Sequence, residues 1–217
     1  MTSYYPAFLD VKSRLCVIIG GGQVAERKVE SLLECGARIR VISPEVTAAV
    51  KGMADAGILL WEKRGYQEGD MEGAFLAIAA TDDSEVNRKI SREAEKKNVL
   101  LNVVDATSLC TFIAPSVVKK GDVTVAISTS GLSPALARKL REELQASPLW
   151  DYADLAPMLS ELRRELRQEG AKVDSDHWQA CLNQEILTMY HRDKSAAKKS
   201  IKESLIQGIR SGAVLTP

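Results

Sequence analysis

The sequence predicts an α/β fold whose parallel sheet is covered on both faces, and three observations carry that expectation. Short apolar runs rich in β-branched residues alternate with amphipathic stretches from residue 14 to residue 104. The first run meets three consecutive glycines, Gly20, Gly21 and Gly22, immediately before a helical pattern. The alternation then stops near residue 112. Strands that alternate with helices pair in parallel, because each crossover returns the chain to the same edge of the sheet.

The elements follow in order. RLCVII (Arg14 to Ile19) is too short for a free-standing helix and reads as a buried strand. From Gln23 the period changes to that of a helix, with Val24, Val29, Leu32 and Leu33 on one face and Gly36 stopping it. ARIRVI (Ala37 to Ile42) is a second strand and Val46 to Ala56 a short helix. ILLWE (Ile58 to Glu62) and FLAIAA (Phe75 to Ala80) are the third and fourth strands, with little between them to form a crossover helix. Thr81 and Asp82 supply capping side chains for a helix over Ser84 to Lys97, with Glu85 three residues after Asp82, and Asp83 also reads as a cap. VLLNVV (Val99 to Val104) is the fifth strand.

Beyond residue 112 the grammar changes. FIAPSVV (Phe112 to Val118) and VTVAIST (Val123 to Thr129) form a hairpin across Lys119-Lys120-Gly121-Asp122. Ser133 and Pro134 open a helix as N-cap and first helical residue, carrying it to about Gln145. The remainder is helical only, over about Trp150 to Gln168, Asp176 to His191 and Ser195 to Arg210. Three parts are therefore expected: a Rossmann-like domain over 1–113, a hairpin/helix segment over 114–147 and a helical part over 148–217.

Composition excludes several classes of function. Lys+Arg 29 against Asp+Glu 29 leaves no net charge, which argues against nucleic acid as the main partner. No window approaches the roughly 18 uninterrupted apolar residues of a membrane span, and no basic segment precedes an apolar core at the N-terminus. The four cysteines, Cys16, Cys35, Cys110 and Cys181, lack a CxxC spacing, so reduced thiols and no zinc site are expected, in a cytoplasmic setting.

The glycines carry the first chemical clue. Gly20, Gly22 and Ala25 match G-x-G-x-x-G/A on a strand-to-helix turn, where no Cβ blocks a ligand and a helix N-terminus offers N–H groups to pyrophosphate. Gly20, Gly21, Gly22, Gln23 and Val24 are accordingly candidate cofactor residues. Ligands of open α/β sheets lie outside the carboxyl ends of the strands. AATDD lands there after the fourth strand, adding Ala80 and Thr81, and NVVDA lands there after the fifth. Asp105 is the acid at the end of that strand: it is either a cap or a carboxylate that takes a proton as hydride leaves the same substrate. The second strand ends in Ile42-Ser43-Pro44-Glu45, with no arginine following at once for a 2′-phosphate, so NAD is favoured over NADP. His177 and Cys181 stand four apart, but two ligands without a third read as packing or surface groups. His191 complements a helix C-terminus. Arg138, Lys139, Arg141 and the Lys119-Lys120 turn are solvated faces, or else attract a polyanion.

Taken together, VIIGGGQVAERK, FLAIAATDD with Asn87 following, NVVDA, FIAPS and AISTSGLSPALARKLRE resemble, in order and spacing, the precorrin-2 dehydrogenase/sirohydrochlorin ferrochelatase family, including the N-terminal module of siroheme synthases. The resemblance covers about residues 4 to 147. It implies oxidation of precorrin-2 to sirohydrochlorin with NAD as hydride acceptor, in a homodimer associated through the hairpin/helix segment. Many members then insert Fe²⁺ as a co-substrate to make siroheme; others stop at dehydrogenation. By the same resemblance Gly22, Gln23 and Val24 bind NAD, Pro44 and Glu45 line its adenosine side, and Asp105 is catalytic; Ser43, near the position where a ribose-binding acid is usual, is a further cofactor candidate. Ser128, Thr129 and Ser130 match a hydroxyl-rich loop, and Arg138 becomes an attractor for the eight carboxylates of precorrin-2. The rival readings are a dehydrogenase without chelatase activity and an NAD-sensing module that leaves precorrin-2 unchanged.

Overall fold

In the computed structural model, residues 4–210 are described. Five strands, β1 (Leu15–Ile19), β2 (Arg38–Ile42), β3 (Leu60–Glu62), β4 (Leu76–Ala79) and β5 (Leu100–Val103), form one parallel sheet in the order β3-β2-β1-β4-β5. The direction of winding reverses between β1 and β4, which opens a crevice at the carboxyl ends of those two strands.

Residues in the strands alternate between two cores, as the pleat requires. Cys16, Ile18, Ile39, Val41 and Ile78 face helices α1 (Gln23–Glu34) and α2 (Ala48–Asp55), where Ala25, Val29 and Val50 are fully buried. Val17, Ile19, Ile42, Ala77 and Leu101 face α3 (Ser84–Lys97) through Ile90 and Ala94. The helical phase of α1 differs from expectation. Ala25 and Val29 point inward while Val24 is exposed, because an i, i+4 pair of small and β-branched residues lets the helix lie close to the sheet.

Between β3 and β4 a loop stands in place of a crossover helix, and polar bonds hold it. Glu93 on α3, only 3% exposed, accepts from the backbone N–H groups of Gly69 (3.1 Å) and Met71 (3.2 Å) and from the Tyr66 hydroxyl. Asp70 accepts from both terminal nitrogens of Arg64 (2.7 and 2.8 Å) and from Gln67 N–H (2.7 Å). Met71 from the same loop is fully buried against the α3 side of the sheet. The helix α3 is capped by Asp83, whose Oδ1 accepts from the N–H groups of Glu85 and Val86, and not by Asp82. Thr81 fixes the approach by accepting from Asp83 N–H.

The outer edge of β5 is closed by side chains. Leu101 N–H donates to Thr111 Oγ1 (2.7 Å) and Val103 N–H to Cys110 Sγ (3.1 Å), so residues 110–112 cover the edge without forming a strand. This is why the expected strand from Phe112 begins only at β6 (Ser116–Lys120): Phe112 N–H and its carbonyl are taken by Leu101 O and Asn102 Nδ2. The strand β6 pairs antiparallel with β7 (Val123–Ile127) across the two-residue turn Gly121-Asp122.

Helix α4 (Pro134–Ala146) is capped by Ser133, whose hydroxyl accepts from Leu136 N–H. A 3-10 stretch Pro148–Leu155 leads into α5 (Ala156–Gln168), α6 (Ser175–Ala180), α7 (Gln184–Arg192) and α8 (Lys194–Arg210). The helix expected over Asp176 to His191 is thus two, because Asn183 caps a new start by accepting from Ile186 N–H. Leu155, Leu162, Leu166, Ile201 and Leu205 form the core of this region. Chain packing divides the molecule into two units. The first runs to Ala114 and includes Ser130–Leu132; the second holds Pro115–Thr129 and the described residues from Ser133 onward, so the hairpin groups with the helices. Among the described residues no helix is long and apolar enough to cross a membrane.

Burial alone would raise the Asp70 carboxyl, but the hydrogen bonds from Arg64 and Gln67 N–H outweigh it and hold the group below the usual carboxylate range. A depressed folded-state pKa contributes stability above the unfolded value, and that stability is lost as pH falls through the folded one. Asp70→Asn should cost about 2 kcal/mol at pH 7 in urea unfolding, and the gap from the wild type should shrink as pH is lowered below about 4.

Candidate functional site

The site is built where β1, β4 and β5 end. Gly20 takes φ +117°, and a Cβ there would stand 2.2 Å from the carbonyl oxygen of Ala80. A Cβ on Gly21 would stand 1.9 Å from the carbonyl oxygen of Glu45. These two glycines are therefore required by contact with the neighbouring strand ends. Gly22 is different: a Cβ there would meet no protein atom within 4 Å. It is the N-cap of α1 and brings no side-chain bond to the first turn, whose N–H groups stay available to an anion. Gln23 and Val24 follow it and are exposed, while Ala25 packs tightly beneath. An open second glycine, an uncapped helix start and a small third residue fit a dinucleotide's pyrophosphate.

The β2 end differs from what its sequence suggests. Ser43 is buried and its hydroxyl donates to Glu45 O (2.6 Å), while its own carbonyl accepts from Trp61 Nε1 (2.9 Å). The side chain shapes the loop, and exposed Pro44 and Glu45 are what it presents. Arg64, just beyond the adjacent strand end, is committed to Asp70 and Glu62.

Two strands away from the glycines, about 10 Å at ordinary sheet spacing, Asp105 occupies the third position of a turn closed by Ala106 N–H to Val103 O (3.3 Å). Its φ is +59°, a left-handed conformation that costs a non-glycine residue about 1–2 kcal/mol. The residue is exposed, and its side chain has no hydrogen bond or ion pair among the described residues. Such strain persists where the surroundings over-determine it, and it clusters at sites that act on ligands. A cap would spend its oxygens on backbone N–H groups, so the cap reading of Asp105 is not what the geometry shows. Ser130 also has positive φ, +54°, and belongs to the same unit. The next residue, Gly131, lies against Thr107, two residues beyond Asp105: a Cβ on it would stand 3.3 Å from the Thr107 methyl.

Other candidates have local duties. Thr129 Oγ1 both accepts from Ser133 N–H and donates to Ser133 O (3.1 Å each), bracing the start of α4. On that helix Arg138 and Arg141 pair with Glu142, and Lys139 with Glu143. Lys120 pairs with Asp151 and Asp154, and His191 Nε2 is 3.6 Å from Asp154. His177 Nδ1 is 2.7 Å from Asp174, the cap of its own helix, while Cys181 is buried. Among the described residues no group of three or more His, Cys, Asp or Glu is placed to hold a metal ion. A cleft of about 670 Å³, lined by Arg14, Arg38, Phe75 and Lys97, lies at the amino ends of the strands, opposite the edge where such sheets bind ligands.

Residues 7–116 match the family model described as "Putative NAD(P)-binding", whose span holds the glycine turn and Asp105. The chain belongs to this family. It therefore takes a nicotinamide dinucleotide. Residues 120–147 match a second model, "Sirohaem biosynthesis protein central". A siroheme synthase of Methylobacillus flagellatus is 40% identical over 75% of this chain and 35% of its own length. One from Photorhabdus laumondii is 34% identical over 96% of this chain and 45% of its own length. This chain thus spans less than half of these relatives. A solved structure of SirC, precorrin-2 dehydrogenase, superposes with a TM-score of 0.71 at 25% identity, covering 94% of this chain and 100% of that one. The fold is Rossmann-like with a hairpin and C-terminal helices, as in that structure.

What sequence reading missed here is the backbone of Asp105 and the role of Cys110 beside it. The signal available was the tight spacing of NVVDA to the Cys110-Thr111 pair. If the left-handed turn is strained by its side chain, Asp105→Gly should be more stable than Asp105→Ala by about 1 kcal/mol in urea unfolding.

Proposed function

We propose that this chain oxidises precorrin-2 to sirohydrochlorin with NAD as hydride acceptor, and that Asp105 is its catalytic residue. The observation that carries the reading is an unpartnered, exposed carboxylate held on a strained turn at the same sheet edge as an open dinucleotide turn. The names of the relatives agree with it. When bound, the nicotinamide ring supplies the hydride acceptor. Gly22, Gln23 and Val24 receive the pyrophosphate side on backbone N–H groups, and Gly20 and Gly21 let that turn sit against Ala80, Thr81 and Glu45. The oxidation removes a hydride from carbon and a proton from the reduced macrocycle. A carboxylate oxygen of Asp105 takes that proton, directly or through one water.

NAD is favoured over NADP because the exposed acid Glu45 follows β2, where a 2′-phosphate would meet a negative charge, and Arg64 is already engaged. By the resemblance, Ser128, Thr129, Ser130 and Arg138 are the candidates for the substrate's carboxylates. The exposed Arg138–Glu142 pair is worth under about 1 kcal/mol, so a polycarboxylate can redirect that guanidinium.

A homodimer belongs to the same proposal. Leu136 and Leu140 lie one turn apart on α4 and are 51% and 45% exposed, and Val117 on β6 is 45% exposed. Leu136 and Leu140 offer an apolar stripe on α4 for a second copy, and Val117 adds a separate apolar position on the same hairpin/helix segment. Leu136→Glu with Leu140→Glu should turn a dimer into a monomer in size-exclusion chromatography with light scattering.

The deciding measurement is NADH formation on mixing the protein with NAD and enzymatically generated precorrin-2. Asp105→Ala should lower kcat by about 10²–10⁴-fold while leaving NAD affinity within a few-fold. A protein that binds NAD and leaves precorrin-2 unchanged would instead be a sensor. Adding Fe²⁺ to sirohydrochlorin and following the absorption spectrum separates a bifunctional enzyme from a dehydrogenase alone.

A further inference from the structure

Nothing bonded to the Asp105 side chain aims it, so its direction is set by the backbone that carries it. That backbone is a four-residue turn, Val103 to Ala106, closed by one long N–H to O bond of 3.3 Å. Across it lies a single thiol. Cys110 Sγ accepts from Val103 N–H at 3.1 Å and lies 3.3 Å from Val103 O and 3.5 Å from Ala106 O. Asn102 Nδ2 reaches the same sulfur at 3.6 Å. The thiol touches both ends of the turn and is anchored by the 3-10 turn Thr107–Leu109, where Cys110 N–H donates to Thr107 O (3.1 Å).

We infer that Cys110 is a positioning residue for Asp105, its thiol stapling the two ends of the left-handed turn and thereby setting where the carboxylate points. The inference rests on the proposed role of Asp105. A sulfur suits the task because it is large enough to span both carbonyls and can donate to one while accepting from an N–H. Burial pushes this thiol upward, keeping it as S–H, the form able to do both. Without the staple the positive φ at Asp105 is held across the turn only by the long Ala106 N–H to Val103 O bond, and the residue relaxes toward ordinary backbone angles. Misplacing a reacting group by about 1 Å can cost on the order of 10²-fold in rate.

The test is a double-mutant cycle on the full chain. Cys110→Ala should lower kcat for NADH formation from precorrin-2 by at least about tenfold, with NAD affinity and the KM for precorrin-2 changed less than about threefold. Cys110→Ser, which keeps a donor and an acceptor, should retain more of the rate. In an Asp105→Ala background, Cys110→Ala should add no further loss, since the thiol acts only through that carboxylate. An undiminished kcat in Cys110→Ala, or an equal loss in both backgrounds, would overturn the inference. Hydrogen exchange at the Ala106 amide judges the staple apart from catalysis: faster exchange in Cys110→Ala supports it, and unchanged exchange refutes it. A wild type that makes no NADH from precorrin-2 would sink the functional reading, and the Ala106 amide would still report on the staple.

Discussion

The architecture of the site depends on one close approach. The β1–α1 turn lies so near the end of β4 that Gly20 has no room for a side chain beside the Ala80 carbonyl. Gly21 is pressed equally against the loop after β2, where Thr47 N–H donates to Gly21 O (3.0 Å). These contacts lock the turn on both sides. Gly22 is then left as the glycine of this turn whose bareness no protein neighbour explains, and the proposed cofactor supplies a reason: backbone must approach pyrophosphate closely. A turn clamped on its first two residues and open at its third is preorganised for a ligand, which lowers the ordering cost of binding.

The rest of the first unit keeps that edge rigid with little material. A sheet of five short strands lacks a helix between β3 and β4, and an isolated loop there would leave buried backbone groups unpaired. Glu93 and Asp70 supply those partners, with Tyr66 and Arg64 completing the set. On the opposite side β5 is an edge strand, and Thr111 and Cys110 satisfy its outward N–H groups where a sixth strand would. Side chains therefore do at two places what secondary structure does in larger versions of the fold. Both places bear on the proposed site, because one braces α3, which begins beside Thr81, and the other carries Asp105.

The sequence made the strand order of events legible where period and punctuation agreed. The five strands, the glycine turn, α3 over Ser84 to Lys97 and the Ser133 cap all rest on local chemistry that tertiary packing did not need to override. Errors arose where two local solutions compete. Asp82 and Asp83 are equally good caps by type, and only backbone geometry selects Asp83. Phe112 to Ala114 have strand-like residues, but the N–H and carbonyl of Phe112 are used to close the β5 edge. The break at Cys181–Asn183 hides inside an amphipathic pattern, since Asn183 caps α7 without a proline or glycine to announce it. Ser43 is a candidate cofactor residue by its place at the end of the second strand, yet its hydroxyl faces its own loop, a preference no pattern of residue types records.

Asp105 shows why a site can be located by sequence and still not be understood from it. Its position after the fifth strand follows from topology, but a carboxylate there has two ordinary fates: to cap a helix or turn, or to pair with a cation. The structure gives it neither, and it adds a backbone conformation that an aspartate adopts only at a cost. Glycine favours that angle, so an aspartate at such a turn gives up some stability. An acid held there, exposed and unpaired, keeps its oxygens for the proton transfer we propose, a task that glycine cannot perform. That task must also need a fixed direction, since a merely solvated carboxylate could sit on relaxed backbone. The neighbouring thiol, large enough to grip both ends of the turn and kept protonated by burial, is the part of the fold that supplies this direction.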